Sequence, residues 1–318
     1  MKTAWTAKEI PSQQGRRVLI TGANSGIVWE AALELARHGA EIILPARTEA
    51  KADAAIARIR AQVSGAKLIP EILDLADLSS VHSFASRVAA RYPGRSLDLL
   101  INNAGVMAVP TRELTVDGYE RQFATNYLGP FALTALLFWS IKPQPGSRIV
   151  TVASGVSNHA KLEFDNLQSQ RRYSPMWQAY AQSKLADLIF QQELQRRLTA
   201  IGSPILSTGA HPGYAITNLQ TSGPGETMPF LLRLGTMILK PLASQDAAHG
   251  ALPTLFAATS PEAQPGGYYG PSGFQELKGH PVPANITAAA RDVALAKRLW
   301  AESERLTGVT FGALSEAN

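Results

Sequence analysis

Cysteine is absent from the chain, which excludes disulfides, thiolate metal sites and a cysteine nucleophile. Charge is sparse as well: 17% of the residues are charged, the formal net charge is +5, and the lysines and arginines are scattered rather than massed. That balance suits a phosphate-bearing ligand and speaks against nucleic acid as a partner. The six histidines (His38, His82, His159, His211, His249, His280) show no pair or spacing that suggests zinc, so no metal is expected. Met1 to Arg17 contains Lys2 and Lys8 but lacks the apolar segment of a secretory signal, and a cytoplasmic protein is expected.

What the chain does have is the apolar content of a globular core, 45% over 318 residues, and no linker that would split it. One domain spanning residues 1–318 is therefore expected, with a ligand-binding part at about 15–155. Short apolar runs alternate with helical periodicity along most of it. Arg17 to Thr21 reads as a strand and Gly26 to His38 as a helix stopped by Gly39. Strands then fall at Glu41 to Pro45, Lys67 to Leu73, Leu97 to Asn102, Arg148 to Ala153 and Pro204 to Gly209. Helices fall at Thr48 to Val63, Ser79 to Ala90, Gly118 to Ile141 and Trp177 to Leu198. With Gly267 to Gly270 as a short last strand, about seven strands are expected. Such alternation predicts an α/β fold, a doubly wound parallel sheet with helices on both faces, which binds ligands at the carboxyl ends of its strands.

Beyond the sixth strand the pattern changes. Residues 214–241 read as an insertion over that carboxyl edge, and Met228 to Pro241 is apolar nearly all round. The run falls short of the roughly 20 residues that cross a bilayer. A packed core helix, a lid over the substrate and, least favoured, a membrane-surface anchor all fit it. Ser244 to Ala258 and Ile286 to Leu306 read as closing helices.

Two motifs carry chemistry. Thr21-Gly22-Ala23-Asn24-Ser25-Gly26-Ile27 occupies the first strand-to-helix turn, where glycines let amides at a helix N-terminus approach a pyrophosphate. At the end of the second strand an NAD site usually has an acidic residue, but this chain has Arg47, with Lys51 one turn on. A 2′-phosphate explains those cations, so NADP(H) is expected over NAD(H), although two solvated cations would look the same. The second motif is Tyr180 with Lys184, four apart on the helix from Trp177 and hence on one face, with Cβ atoms roughly 5–6 Å apart. A tyrosine with a pKa of about 10 is a poor base at neutral pH. A neighbouring ammonium favours the phenolate, and the pair can then pass a proton to or from a carbonyl or alcohol oxygen. Taken alone, such a pair also suits an ordinary solvent-facing helix.

Taken in order, these motifs resemble the short-chain dehydrogenase/reductase family, specifically its retinol-dehydrogenase-like branch, from about Gly15 to Leu306. The family's Thr-Gly-x-x-x-Gly-x-Gly turn is matched by Thr21, Gly22 and Gly26, and its Asn-Asn-Ala-Gly by Asn102, Asn103, Ala104 and Gly105. The resemblance implies a Rossmann-type fold and a catalytic set of Asn126, Ser154, Tyr180 and Lys184. It further implies that Asp74 and Leu75 border the adenine, and that Pro212, Gly213 and Thr217 border the nicotinamide. In that scheme Ser154 polarises the substrate oxygen, Tyr180 exchanges its proton, Lys184 holds the ribose, and Asn126 orders a water leading to Lys184. The implied activity is hydride exchange between NADP(H) and a small-molecule ketone, aldehyde or alcohol. Phe164, Leu167, Tyr173, Met176 and Trp177 lie between Ser154 and Tyr180, and their apolar character points to a lipophilic substrate. A homo-oligomer is compatible with this reading.

The chain departs from the pattern at Val28, where the family has its third glycine. A β-branched side chain there should crowd either the strand or the ligand, unless a small backbone shift absorbs it. A nucleotide-sensing protein with weakened catalysis is therefore one alternative. A nucleotide-sugar epimerase is another, but it would need diphosphate contacts that the C-terminal part does not offer.

Overall fold

The computed structural model describes residues 4–214 and 245–316. Its strands are β1 Arg17–Ile20, β2 Glu41–Ala46, β3 Lys67–Ile72, β4 Leu99–Asn102, β5 Arg148–Val152, β6 Leu206–Ala210, β7 Tyr268–Pro271 and β8 Pro281–Pro283. They form one sheet in the order β3-β2-β1-β4-β5-β6-β7-β8. Pairing is parallel from β3 through β7, and only β8 runs antiparallel, against β7. The sheet thus has eight strands rather than about seven. The extra one, three residues long with a proline at each end, carries no apolar alternation and lies at the sheet's edge, where proline is most easily accommodated. At the opposite edge β3 carries Pro70 between Lys67 and Glu71.

Successive side chains of the central strands point to opposite faces, so runs such as Val18-Leu19-Ile20 feed two cores at once. Leu19, Leu100 and Ile149 pack with Phe84, Phe131, Leu185 and Ile189 on one face. Val18, Ile20, Leu99, Ile101 and Val150 pack with Ala32, Leu35, Ile56 and Leu255 on the other. The first face is covered by α3 Leu78–Arg91, α5 Gly129–Leu137 and α6 Ala181–Ala200. The second is covered by α1 Gly26–Arg37, α2 Glu49–Arg60 and α7 Ala247–Thr259. After β3 the chain crosses to the far side of β1, so the strand order reverses between β1 and β4. That reversal opens a crevice at the carboxyl ends of those two strands.

Two expected helices are interrupted at their functional ends. The run from Gly118 begins only at Arg121, where Glu120 accepts hydrogen bonds from the amides of Gln122 and Phe123, and it ends at Ser140. Within it, the short helix α4 Arg121–Phe123 passes into a π turn, Ala124–Leu128, before α5. Likewise Pro175–Tyr180 is a π turn leading into α6. The segment from Ile286 is split at Asp292, whose carboxylate caps the helix Val293–Thr307. No helix among the described residues is long and apolar enough to cross a membrane.

The loop after β3 is fixed by close packing. A Cβ on Gly129, the first residue of α5, would run into the Leu75 carbonyl, which is backbone and has little freedom to move. Gly129→Ala is therefore expected to lower stability by about 1–3 kcal/mol, the usual cost of overpacking. Chemical denaturation would measure it, and an unchanged midpoint would contradict the packing argument.

Candidate active site

The crevice between β1 and β4 is closed by Thr21. Its hydroxyl oxygen accepts from the backbone amides of Asn103 and Ala104, both at 3.1 Å, and so ties the two strand ends together. Gly22 follows at φ +79, and a Cβ there would stand 2.8 Å from the Ala104 Cα. Ala23, Asn24 and Ser25 complete the turn, and Gly26, at φ +64, starts α1 with Ile27 next. Ser25 occupies the N-cap position without a side-chain cap hydrogen bond. The first-turn amides of α1 are thus open to an anion, with the helix dipole behind them. Val28 is 8% exposed and packs in the same core as Ile20 and Ala32, while α1 stays continuous.

Beyond the turn, Arg47 and Lys51 are exposed at the start of α2, which Thr48 caps through the Lys51 amide. Neither forms an ion pair among the described residues, so both ammonium and guanidinium groups face water at the end of β2. Asp74 and Leu75 follow β3. One carboxylate oxygen of Asp74 accepts from the Ala76 amide at 2.9 Å, leaving the other for a ligand. Leu75 is buried at 6% exposure against Gly129.

The catalytic set suggested by the motifs converges at the carboxyl ends of β4 and β5. Asn126, in the first π turn, clamps the loop after β4: its Oδ1 accepts from the Val106 amide at 2.7 Å and its Nδ2 donates to the Val106 carbonyl at 3.0 Å. The same Nδ2 donates to the Ser183 hydroxyl at 2.9 Å, and that hydroxyl donates to the Tyr180 carbonyl at 2.7 Å. Both amide protons of Asn126 are therefore occupied. Its side chain acts on the Val106 loop and on the helix of Tyr180, rather than directly as a donor to a free water.

Tyr180 is 8% exposed and ends the second π turn. Lys184, one helical turn on, donates from Nζ to the Val152 carbonyl at 2.9 Å and to Asp187 Oδ2 at 2.8 Å. The first of these bonds places the ammonium at the end of β5, two residues before Ser154. Ser154 is half-buried and makes no side-chain cap hydrogen bond to the short helical turn that it precedes. Gly105 belongs to the same cluster, since a Cβ there would stand 3.0 Å from Asn126 Oδ1 and 3.8 Å from Lys184 Nζ. Burial works against the Lys184 charge, but the Asp187 carboxylate and Tyr180 oppose it, and the ammonium pKa lies above its ordinary value.

Several contributors escape sequence reasoning. Ser183 and Asp187 lie close to Lys184 and are buried as it is; the signal available was an acid three residues past the lysine, on the same face of its helix. Glu276 bonds the buried His211 at 2.8 Å from 65 residues away, and no local pattern announces it. Glu276 and Gln275 hold φ of 56° and 50°, a region costly for side chains, and Leu277 O accepts from the Tyr214 amide at 2.8 Å. That strained loop supports Pro212 and Gly213 after β6. Thr217 and the insertion from Ala215 to Pro241 lie outside the described residues.

These features suit a dinucleotide. Gly22 packs closely against Ala104, and the N-terminus of α1 has no side-chain cap among the described residues, so its first-turn amides are available to a pyrophosphate. Among the described residues there is no group of three metal-ligating side chains.

Comparison with known proteins agrees. A sequence model of the short chain dehydrogenase family matches residues 16–225. Mouse polyprenol dehydrogenase is 38% identical over 309 residues, covering 95% of this chain and 87% of that protein. Human retinol dehydrogenase 13 is 39% identical over 305 residues, again covering 95% and 87%. A crystal structure of a short chain dehydrogenase from Burkholderia cenocepacia in complex with NADP is similar at a TM-score of 0.59 and 26% identity, covering 79% of this chain and 93% of that one. With a family match over most of the chain and relatives near 40% identity along almost all of it, this oxidoreductase belongs to the short chain dehydrogenase family, in its retinol-dehydrogenase-like branch.

Proposed function

We propose that this oxidoreductase interconverts a ketone or aldehyde with its alcohol, using NADP(H) and a lipophilic substrate. The observation that carries the reading is the meeting of Tyr180, Lys184 and the end of β5 beside the Asn126 clamp. When bound, the cofactor supplies or accepts the hydride. Tyr180 gives its phenolic proton to the substrate oxygen in reduction and takes it back in oxidation. Ser154, with its hydroxyl uncommitted to capping, polarises that oxygen. Lys184 has one ammonium proton left after Val152 and Asp187, and it directs that proton to the nicotinamide ribose.

The choice of NADP(H) over NAD(H) is supported by the exposed Arg47 at the end of β2, which has no ion pair among the described residues, and by Lys51 beside it. The similar Burkholderia structure holds NADP, which points the same way. Asp74, Leu75, Asn103, Ala104, Gly105, Pro212, Gly213 and, outside the described residues, Thr217 complete the cofactor contacts in this reading. Lipophilicity of the substrate is supported by the similar proteins, a polyprenol dehydrogenase and a retinol dehydrogenase. Phe164 to Trp177 borders Tyr180 in sequence and adds to that support. One domain and a cytoplasmic location belong to the same proposal.

Removing the hydroxyl alone separates chemistry from binding. Tyr180→Phe should lower turnover about 10²–10⁴-fold, the range lost with a general acid-base group, and leave NADPH affinity nearly unchanged. Screening ketones and alcohols by NADPH absorbance gives the assay, and near-normal turnover in that variant would remove Tyr180 from the reaction. NADPH should bind more tightly than NADH, and Arg47→Ala should weaken NADPH by roughly ten- to a hundredfold, since a charge-assisted phosphate contact is worth about 1.5–3 kcal/mol. Equal affinity for both cofactors in the unmutated protein contradicts the assignment.

Val28 decides between an efficient enzyme and a weakened binder. If its side chain crowds the cofactor, Val28→Gly tightens NADPH binding. Loss of a buried valine and gain of a helix glycine should together cost about 2 kcal/mol of stability or more. Calorimetric titration and thermal melts in parallel read the two effects, which are expected with opposite signs. Unchanged or weaker binding means that the backbone already accommodates valine.

A further inference from the structure

Asp187 plays no part in the proposed reaction, yet it makes the only ionic contact of Lys184 among the described residues. The two side chains are 6% and 3% exposed, and Nζ lies 2.8 Å from Oδ2. Tyr180, Lys184 and Asp187 are spaced by four and three residues along one helix, so all three share a face. Along the helix the lysine stands between the tyrosine and the aspartate, whose α-carbons are about 10 Å apart along the axis. The Val152 carbonyl, the other partner of Lys184, is neutral and offers less against the cost of burial.

Among the described residues the surroundings contain nothing else that would hold this charge. Tyr127 faces Asp187 from the first π turn, with its hydroxyl 2.6 Å from Ser303 Oγ, and Tyr268 faces it from β7. Burial pushes both phenols upward, so both are neutral near physiological pH. Burial raises the Asp187 carboxyl as well, with Lys184 pulling it back. Each ion of the pair thus depends on the other to stay ionised.

We propose that Asp187 is a positioning residue, the counter-ion that keeps the Lys184 ammonium charged and fixed at the end of β5, where it serves Tyr180 and the cofactor ribose. This rests on the reaction proposed for the same site. Asparagine has the same shape and still accepts a hydrogen bond from Nζ, but carries no charge. Asp187→Asn therefore removes the electrostatic part and keeps the packing. Left with neutral partners in a buried place, Lys184 releases its proton at lower pH.

The test reads Lys184 directly and without cofactor. Lysines labelled with ¹³C at Cε and ¹⁵N at Nζ are titrated by NMR, and the Lys184 signal is assigned by its loss in Lys184→Arg. In Asp187→Asn the Lys184 midpoint should fall by at least one pH unit, a tenfold loss of proton affinity, and Asp187→Glu should recover most of it. Carbonyl reduction needs the charged lysine and fails as pH rises through its pKa. The alkaline limb of the rate profile should therefore move to lower pH in the asparagine variant by a similar amount. An unshifted midpoint in folded Asp187→Asn overturns the proposal, as does a loss of turnover that is equal at every pH. If the variant does not fold, the unmutated protein still decides: a Lys184 midpoint well below the free-lysine value of about 10.4 shows that Asp187 does not sustain the charge. A shifted midpoint in a protein that turns over no carbonyl keeps the counter-ion and removes the reaction.

Discussion

A parallel sheet buried on both faces leaves the chain few places to present a polar side chain. The strands are spent on packing: Val18, Leu19 and Ile20 are fully buried, and so are Leu99, Leu100 and Ile101. Only the turns that leave the carboxyl ends are free of that duty, and every candidate residue described above sits in one of them or on the helix that follows. The reversal of strand order beside β1 then selects which turns diverge enough to admit a ligand. Thr21 turns this constraint into a fixed geometry, because its hydroxyl serves two amides of the β4 turn at once.

The second level of organisation is the pairing of two π turns. Ala124–Leu128 carries Asn126 and Pro175–Tyr180 carries Tyr180, and the Ser183 hydroxyl bridges them. A π turn widens the helix by one residue and disrupts its hydrogen-bond ladder locally, a cost that persists mostly where function uses the altered direction of side chains. Here the two disruptions are joined through Ser183, to which each presents a polar group. The Lys184–Asp187 pair lies directly beyond, within the regular part of α6.

Much of this was legible in the sequence, for identifiable reasons. Buried parallel strands read as apolar runs, so β1 to β6 were located within two residues at each end, with β7 recognised as a short run. The glycine turn and the Tyr180–Lys184 spacing survive translation into structure because each depends on local geometry. The π turns were not legible, since one extra residue in a helix hardly disturbs apolar periodicity over twenty residues. β8 was hidden by its prolines, and the segment from Ile286 read as one helix because Asp292 looks like any surface acid until its cap is seen. Asp187 and Glu276 were missed for a common reason: the meaning of a carboxylate lies in what faces it, Lys184 within a buried stripe and His211 from a distant loop.

The prolines at the two rims of the sheet bear on how copies of this chain can meet. An open sheet ends in unpaired amides and carbonyls, which are a template for another chain. β8 has proline at both ends of three residues, and β3 carries Pro70 next to Glu71. Neither rim offers the unbroken ladder that a continuous intermolecular sheet requires. Misassembly by strand addition at either rim is thereby discouraged by the same residues that made one edge hard to read.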